Sequence, residues 1–202
     1  MAPVIPNPDK IREFETEAEF EAWMAANHRG ETEIWVKYHK KGSGRRTIVY
    51  AEALDVALCY GWIDGIGKPF DAHSYLQRFT PRKAKSIWSQ RNRDKVEKLI
   101  AAGRMTEHGL RQIEAAKADG RWDRAYASPG KMETPPDLLA AIEANPAAYV
   151  TFTQINATNR YALAFRTHNM KTEAGRRKKI ATFVEMLARG EAPYPQAFKD
   201  KP

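Results

Sequence analysis

The residues best suited to chemistry lie close together between Leu58 and Asn92, in LCYGWIDGIGKPFDAHSYLQRFTPRKAKSIWSQRN. Trp62 and Trp88 supply flat apolar walls, and Arg78 and Arg82 supply charge for negative groups. Asp64, next to Gly65, supplies a carboxylate that orients a ligand or moves a proton. Together they read as a pocket for a small anionic or aromatic ligand. A second reading uses the same residues structurally, with Arg78 reaching Asp64 from a neighbouring strand as a salt bridge that closes a sheet. Neither reading supplies a nucleophile with its base, so no catalytic residue is assigned.

The common catalytic and cofactor signatures do not occur. There is no Gly-x-Ser-x-Gly elbow. Gly61, Gly65 and Gly67 stand between a helix and a strand, the wrong context for a dinucleotide fingerprint. Lys41-Gly42-Ser43-Gly44-Arg45-Arg46 lacks both the preceding strand and the Lys-Ser/Thr ending of a phosphate loop. His28, His39, His73, His108 and His168 are scattered, without the i, i+4 pairing of a helical metal site, and each reads as a surface or packing residue. Cys59, the single cysteine, is flanked by apolar residues and reads as a small buried thiol. No cofactor and no metal are expected.

The bulk numbers set outer limits. An apolar fraction of 43% and a charged fraction of 29% over 202 residues describe a folded globular chain with a proper core. The formal net charge of +8 favours anionic partners. Nine lysines and arginines against two acids fall between Arg78 and Arg104, interleaved with Phe79 and Trp88, which makes nucleic-acid binding a third reading of this stretch. The plain alternative is a solvated helix face whose Lys stems cover apolar surface. MAPVIPNPD does not read as a signal peptide, and no run of about 18 apolar residues occurs, so the expected location is the cytoplasm without membrane insertion.

These residues must be positioned by the elements around them. Thr16-x-x-Glu19 opens a first helix that carries Phe20, Trp23 and Met24 to about Asn27. Thr32–Lys40 alternates Ile34, Val36 and Tyr38 against Glu33, Trp35 and Lys37, which is strand periodicity. Tyr50–Tyr60 is a second helix ended by Gly61. Ile63–Phe70 and Ser74–Thr80 form a hairpin, with Tyr75, Gln77 and Phe79 on one face and Ser74, Leu76, Arg78 and Thr80 on the other. Helices follow from Ser86, ending at Gly103 and Gly120, then after Thr134-Pro135-Pro136 and Asn145-Pro146, and again through Phe165 and over Thr172–Arg189.

The expected fold is therefore α+β: a small antiparallel β-sheet packed on N-terminal helices, followed by a mostly helical C-terminal half. The expected parts are 1–85, with the hairpin, and 86–202, with a further boundary near 121–134 and a mobile tail from about 191. One continuous unit is the alternative.

Leu58–Gly65, then Arg78-Phe79-Thr80-Pro81-Arg82, then Trp88-Ser89 and Asn92, resemble the signature of the YdeI/OmpD-associated, or bacteriocin-protection, proteins. Lys171–Arg177, with Ile180 and Phe183-Val184, resembles their later helix, although Ala174-Gly175 stands where that helix carries Thr-Arg. The resemblance adds Ser89 and Asn92 to the candidate ligand-binding residues. It implies a bacterial stress-protection protein linked to tolerance of bacteriocins and cationic antimicrobial peptides, with a porin association, and it carries no reaction or cofactor. Action by binding is the leading expectation and enzymatic turnover in the 58–92 pocket the alternative.

Overall fold

In the computed structural model, which describes residues 4–128 and 130–198, the chain forms two compact units, Met1–Ala125 and Tyr126–Pro202. The first unit is built from β1 (Ile11–Glu13), α1 (Glu17–Asn27), β2 (Ile34–His39), α2 (Tyr50–Cys59), β3 (Trp62–Pro69), β4 (Ser74–Pro81), α3 (Gln90–Ala101) and α4 (Glu107–Ala118). The second holds α5 (Pro136–Glu143), α6 (Pro146–Gln154), α7 (Ala157–His168) and α8 (Glu173–Ala188). The α+β class is as expected. Val96, Leu99, Ile113, Ala116 and Trp122 share one core with the strands, and the two units part between Ala125 and Tyr126, inside the 121–134 link. No helix among the described residues is long and apolar enough to cross a membrane.

The sheet has the order β1-β2-β4-β3. Its three long strands pair antiparallel, whereas β1 pairs parallel with β2, so the sheet is mixed rather than antiparallel throughout. Asn7 first caps a short turn, its Oδ1 accepting the Asp9 N–H at 3.0 Å, before the three residues of β1. Strand parity sorts the side chains. Ile34, Val36 and Tyr38 lie opposite Phe79, Gln77 and Tyr75, and Asp64 lies opposite Phe79, all on the helix-facing side. Trp35 lies opposite Arg78 on the other side.

Helix ends follow local chemistry. Thr16 accepts the Glu19 N–H at 3.2 Å, and the Glu52 carboxylate accepts the Val49 N–H at 3.0 Å. At the end of α2, Gly61 adopts φ +76°, which turns the chain directly into β3. Here α4 comes closest to α2. Thr106 reaches the Cys59 carbonyl with both its N–H, at 3.2 Å, and its hydroxyl, at 2.6 Å. A Cβ at Gly109 would meet the Cys59 carbonyl oxygen at 2.4 Å and that of Leu58 at 2.8 Å.

In the second unit, Leu138, Ile142, Phe152, Leu163, Phe183 and Leu187 form a core. Arg176 ties its helices together, bonding both Asp137 oxygens at 2.6 and 2.7 Å and the Thr167 carbonyl at 2.9 Å. The segment expected to be a mobile tail is held in place as far as 198. Fully buried Asn159 accepts the Tyr194 N–H at 2.8 Å and donates to Gln196 at 2.7 Å, and Phe198 packs on the core. Residues 199–202 of that expectation lie outside the described residues.

Two outcomes follow from these contacts. Gly109→Ala forces α4 away from the carbonyls beneath it and is expected to destabilise the protein by about 1–3 kcal/mol in urea titrations. Glu13, bridging Lys37 at 2.8 Å and His39 at 3.1 Å, has its carboxyl lowered from the ordinary 4.5 to about 2 by those hydrogen bonds. Its folded-state pKa lies below its unfolded value, so its contribution is complete above about pH 4.5 and disappears as pH falls through about 2. The stability gap between the wild type and Glu13→Gln should therefore close between pH 5 and pH 2.

Candidate functional site

On the helix-facing side of the sheet, polar side chains gather at one place. Tyr50, the first residue of α2, donates its hydroxyl to Asp64 Oδ2 at 2.7 Å. The Tyr38 and Tyr75 rings, cross-strand partners, stack 5.1 Å apart at 12°. Tyr38 is 2% exposed, and its hydroxyl is buried with no hydrogen-bond partner among the described residues. A bulge in β3 after Asp64 sets two residues against one, and Gln77 fills it by donating to the Gly65 carbonyl at 2.9 Å.

This surrounding keeps the phenols protonated. Burial pushes Tyr38 far above the usual tyrosine range, and Tyr75, Tyr50 and Asp64 add to it. Burial and then the hydrogen bond to Asp64 do the same for Tyr50, while Arg91 acts weakly in the opposite sense. The cluster thus offers neutral O–H groups and a carboxylate beside a pair of stacked rings. Such a set can orient a small polar or aromatic molecule by hydrogen bonds.

Of the residues singled out in the sequence, Asp64 alone belongs to this cluster. Arg78 does not reach it. Its Nε donates to Glu33 Oε2 at 2.6 Å, and its guanidinium lies 6.0 Å from the Trp35 ring. The reason is parity: Arg78 shares a face with Trp35, whereas Asp64 is aligned with Phe79 on the opposite face. Trp62 is 1% exposed, and its indole donates to the His28 carbonyl at 3.3 Å and meets Trp23 edge-on. Trp88 is also 1% exposed; the Arg82 guanidinium stacks 3.7 Å from its ring and Trp122 meets it at 5.1 Å. Arg82 further donates to the Ile87 carbonyl at 2.9 Å. Ser89 caps α3 by accepting the Asn92 N–H at 3.2 Å.

The three tyrosines were not singled out in the sequence. Their signal was available in part, since Tyr38 and Tyr75 sit at inward positions of strands where aliphatic residues are the norm. Cys59 is buried, as expected, and burial pushes its thiol up to about 11, which makes it a poor nucleophile. Among the described residues, no group of three or more His, Cys, Asp or Glu side chains gathers to hold a metal ion. Tyr50→Phe deletes the hydrogen bond to Asp64 and is expected to cost about 1–2 kcal/mol in thermal or urea unfolding, with the fold retained.

Comparison with known families assigns both units. Residues 12–112 match the family described as Domain of unknown function (DUF8412). Residues 131–190 match the family described as Bacteriocin-protection, YdeI or OmpD-Associated. No curated protein and no solved structure matches the chain. The Leu58–Asn92 stretch lies in the first match, and the Lys171–Val184 segment lies in the second. The chain belongs to the DUF8412 family through residues 12–112, and its residues 131–190 are similar to the YdeI/OmpD-associated bacteriocin-protection family.

Proposed function

We propose that the protein contributes to tolerance of bacteriocins from the cytoplasm, and that it does so by binding rather than by turnover. The match of residues 131–190 to a bacteriocin-protection family carries this reading. Protonated phenols and a thiol held near 11 support binding over covalent chemistry. A lone buried cysteine suits a reducing compartment. The association with a porin named in the family description would then be indirect. A chain of net charge +8 is a poor direct trap for a cationic peptide, because like charges repel.

A second reading concerns the site itself. Of the small ligands expected, an aromatic one would seat against Asp64, Tyr50 and Tyr75 and meet the buried Tyr38 hydroxyl, which is the observation that favours it, whereas an anionic one would face the Asp64 carboxylate. Nucleic-acid binding draws on less. Of the nine cations between Arg78 and Arg104, Arg78, Lys95 and Arg104 pair with Glu33, Asp55 and Glu17. Arg82 and Arg93 lie on Trp88 and Trp122. Lys83, Lys85, Arg91 and Lys98 stay exposed.

Deleting the gene should raise susceptibility to bacteriocins, and expressing the wild-type chain should restore tolerance. Unchanged susceptibility would contradict the protective role. Complementation with folded Tyr50→Phe separates the readings: failure places protection in the tyrosine cluster, and full rescue places it elsewhere on the protein.

A further inference from the structure

His28 and His108, far apart in the chain, come together beside the Gly61 turn. Their ring centroids lie 4.3 Å apart at 63°, and a Cβ on Gly61 would sit 2.9 Å from the His108 carbonyl oxygen. Arg29 brings Nη2 to 3.0 Å and Nε to 3.3 Å from His108 Nε2. Arg111 brings Nη2 to 2.5 Å from His108 Nδ1. On His28, Nδ1 lies 2.8 Å from the Met24 carbonyl, so this nitrogen carries the proton, and Nε2 is buried without a partner among the described residues.

The donors in this cluster outnumber the acceptors. A guanidinium only donates, and a neutral imidazole has one lone pair to offer. Two arginines on the two nitrogens of His108 therefore cannot both be satisfied, and a charged His108 would satisfy neither. The carboxylate that does approach, Glu107, stands 3.7 Å from Arg111 with 78% of its side chain exposed, a weak counter-charge. The start of α4 adds to the imbalance. Thr106 gives its hydroxyl to the Cys59 carbonyl and makes no side-chain cap, so the helix start adds N–H donors whose one first-turn acid is the exposed Glu107.

We propose that this cluster binds a phosphate dianion, free or as the terminal group of a phosphate ester, between Arg29 and Arg111 with His28 and His108 beside it. Oxygens with several lone pairs supply the acceptors that the two guanidiniums lack. The site is separate from the Asp64 cluster and does not depend on the function proposed for it.

The test is a titration of the full chain with inorganic phosphate at constant ionic strength, following the ring-proton resonances of His28 and His108. The shifts should saturate, and Arg29→Gln and Arg111→Gln should each weaken binding by about tenfold or more. Both arginines are exposed, so both variants should fold. Arg189→Gln, a surface arginine of the second unit paired with Glu191, should leave the midpoint unchanged. Phenyl phosphate binding more tightly than phosphate assigns the site to an ester, and the reverse order assigns it to the free ion. Shifts that fail to saturate, that sodium chloride reproduces, or that persist in the Arg29→Gln/Arg111→Gln double variant would overturn the proposal.

Discussion

The close approach of α4 to the last turn of α2 is the constraint on which the first unit depends. Gly109 is buried there because any side chain would strike the Leu58 and Cys59 carbonyls. The Leu58 carbonyl accepts the Gly61 N–H at 3.1 Å, and Thr106 satisfies that of Cys59 from just before α4. The contact fixes where α2 stops, and Gly61 turns the chain into β3 with His108 immediately above it. From that turn Trp62 enters the core, and two residues later Asp64 arrives beneath Tyr50. The same packing brings His28 and His108 together.

A second economy lies in how the arginines are used. Arg82 on Trp88 and Arg93 on Trp122 place delocalised cations against indole faces, an arrangement that suits the weakly hydrated guanidinium. Arg93 also donates to the Trp122 carbonyl at 2.8 Å. Charge that reads as a ligand-facing cluster along the sequence therefore serves to close the core. What is left for partners is the exposed remainder, together with the neutral hydroxyls around Asp64.

The sequence carried much of the fold in readable form. Caps at Thr16, Asn145 and Thr172 mark helix starts, and alternation in β2 and β4 gives the correct inward residues, whereas α3 starts at the Ser89 cap rather than from Ser86. β1 was beyond reach, since three residues carry no period and its parallel pairing with β2 depends on tertiary placement. Asp64 and Arg78 do not pair because strand parity across the hairpin sets them on opposite faces of the sheet. Glu33, two residues before Trp35 and so of the same strand parity, is the acid that meets Arg78. Trp62 and Trp88 have the composition of pocket walls, but burial is a property of packing, and no local pattern separates a core indole from a ligand-facing one. The tyrosine cluster and the His28–His108 pair join residues from different elements, so neither leaves a motif.

Trp62, Trp88, Arg78 and Arg82 are held in contacts within the protein, and the ligand contact proposed above lies instead around Asp64 and Tyr38. A high-resolution crystal structure of the protein purified from its own cells tests this directly. The account predicts a non-water group within hydrogen-bond distance of the Tyr38 hydroxyl, with Tyr50 still on Asp64 and with Trp62 and Trp88 in protein contacts alone. A ligand seated against Trp62 or Trp88, with only an ordered water at Tyr38, would contradict it.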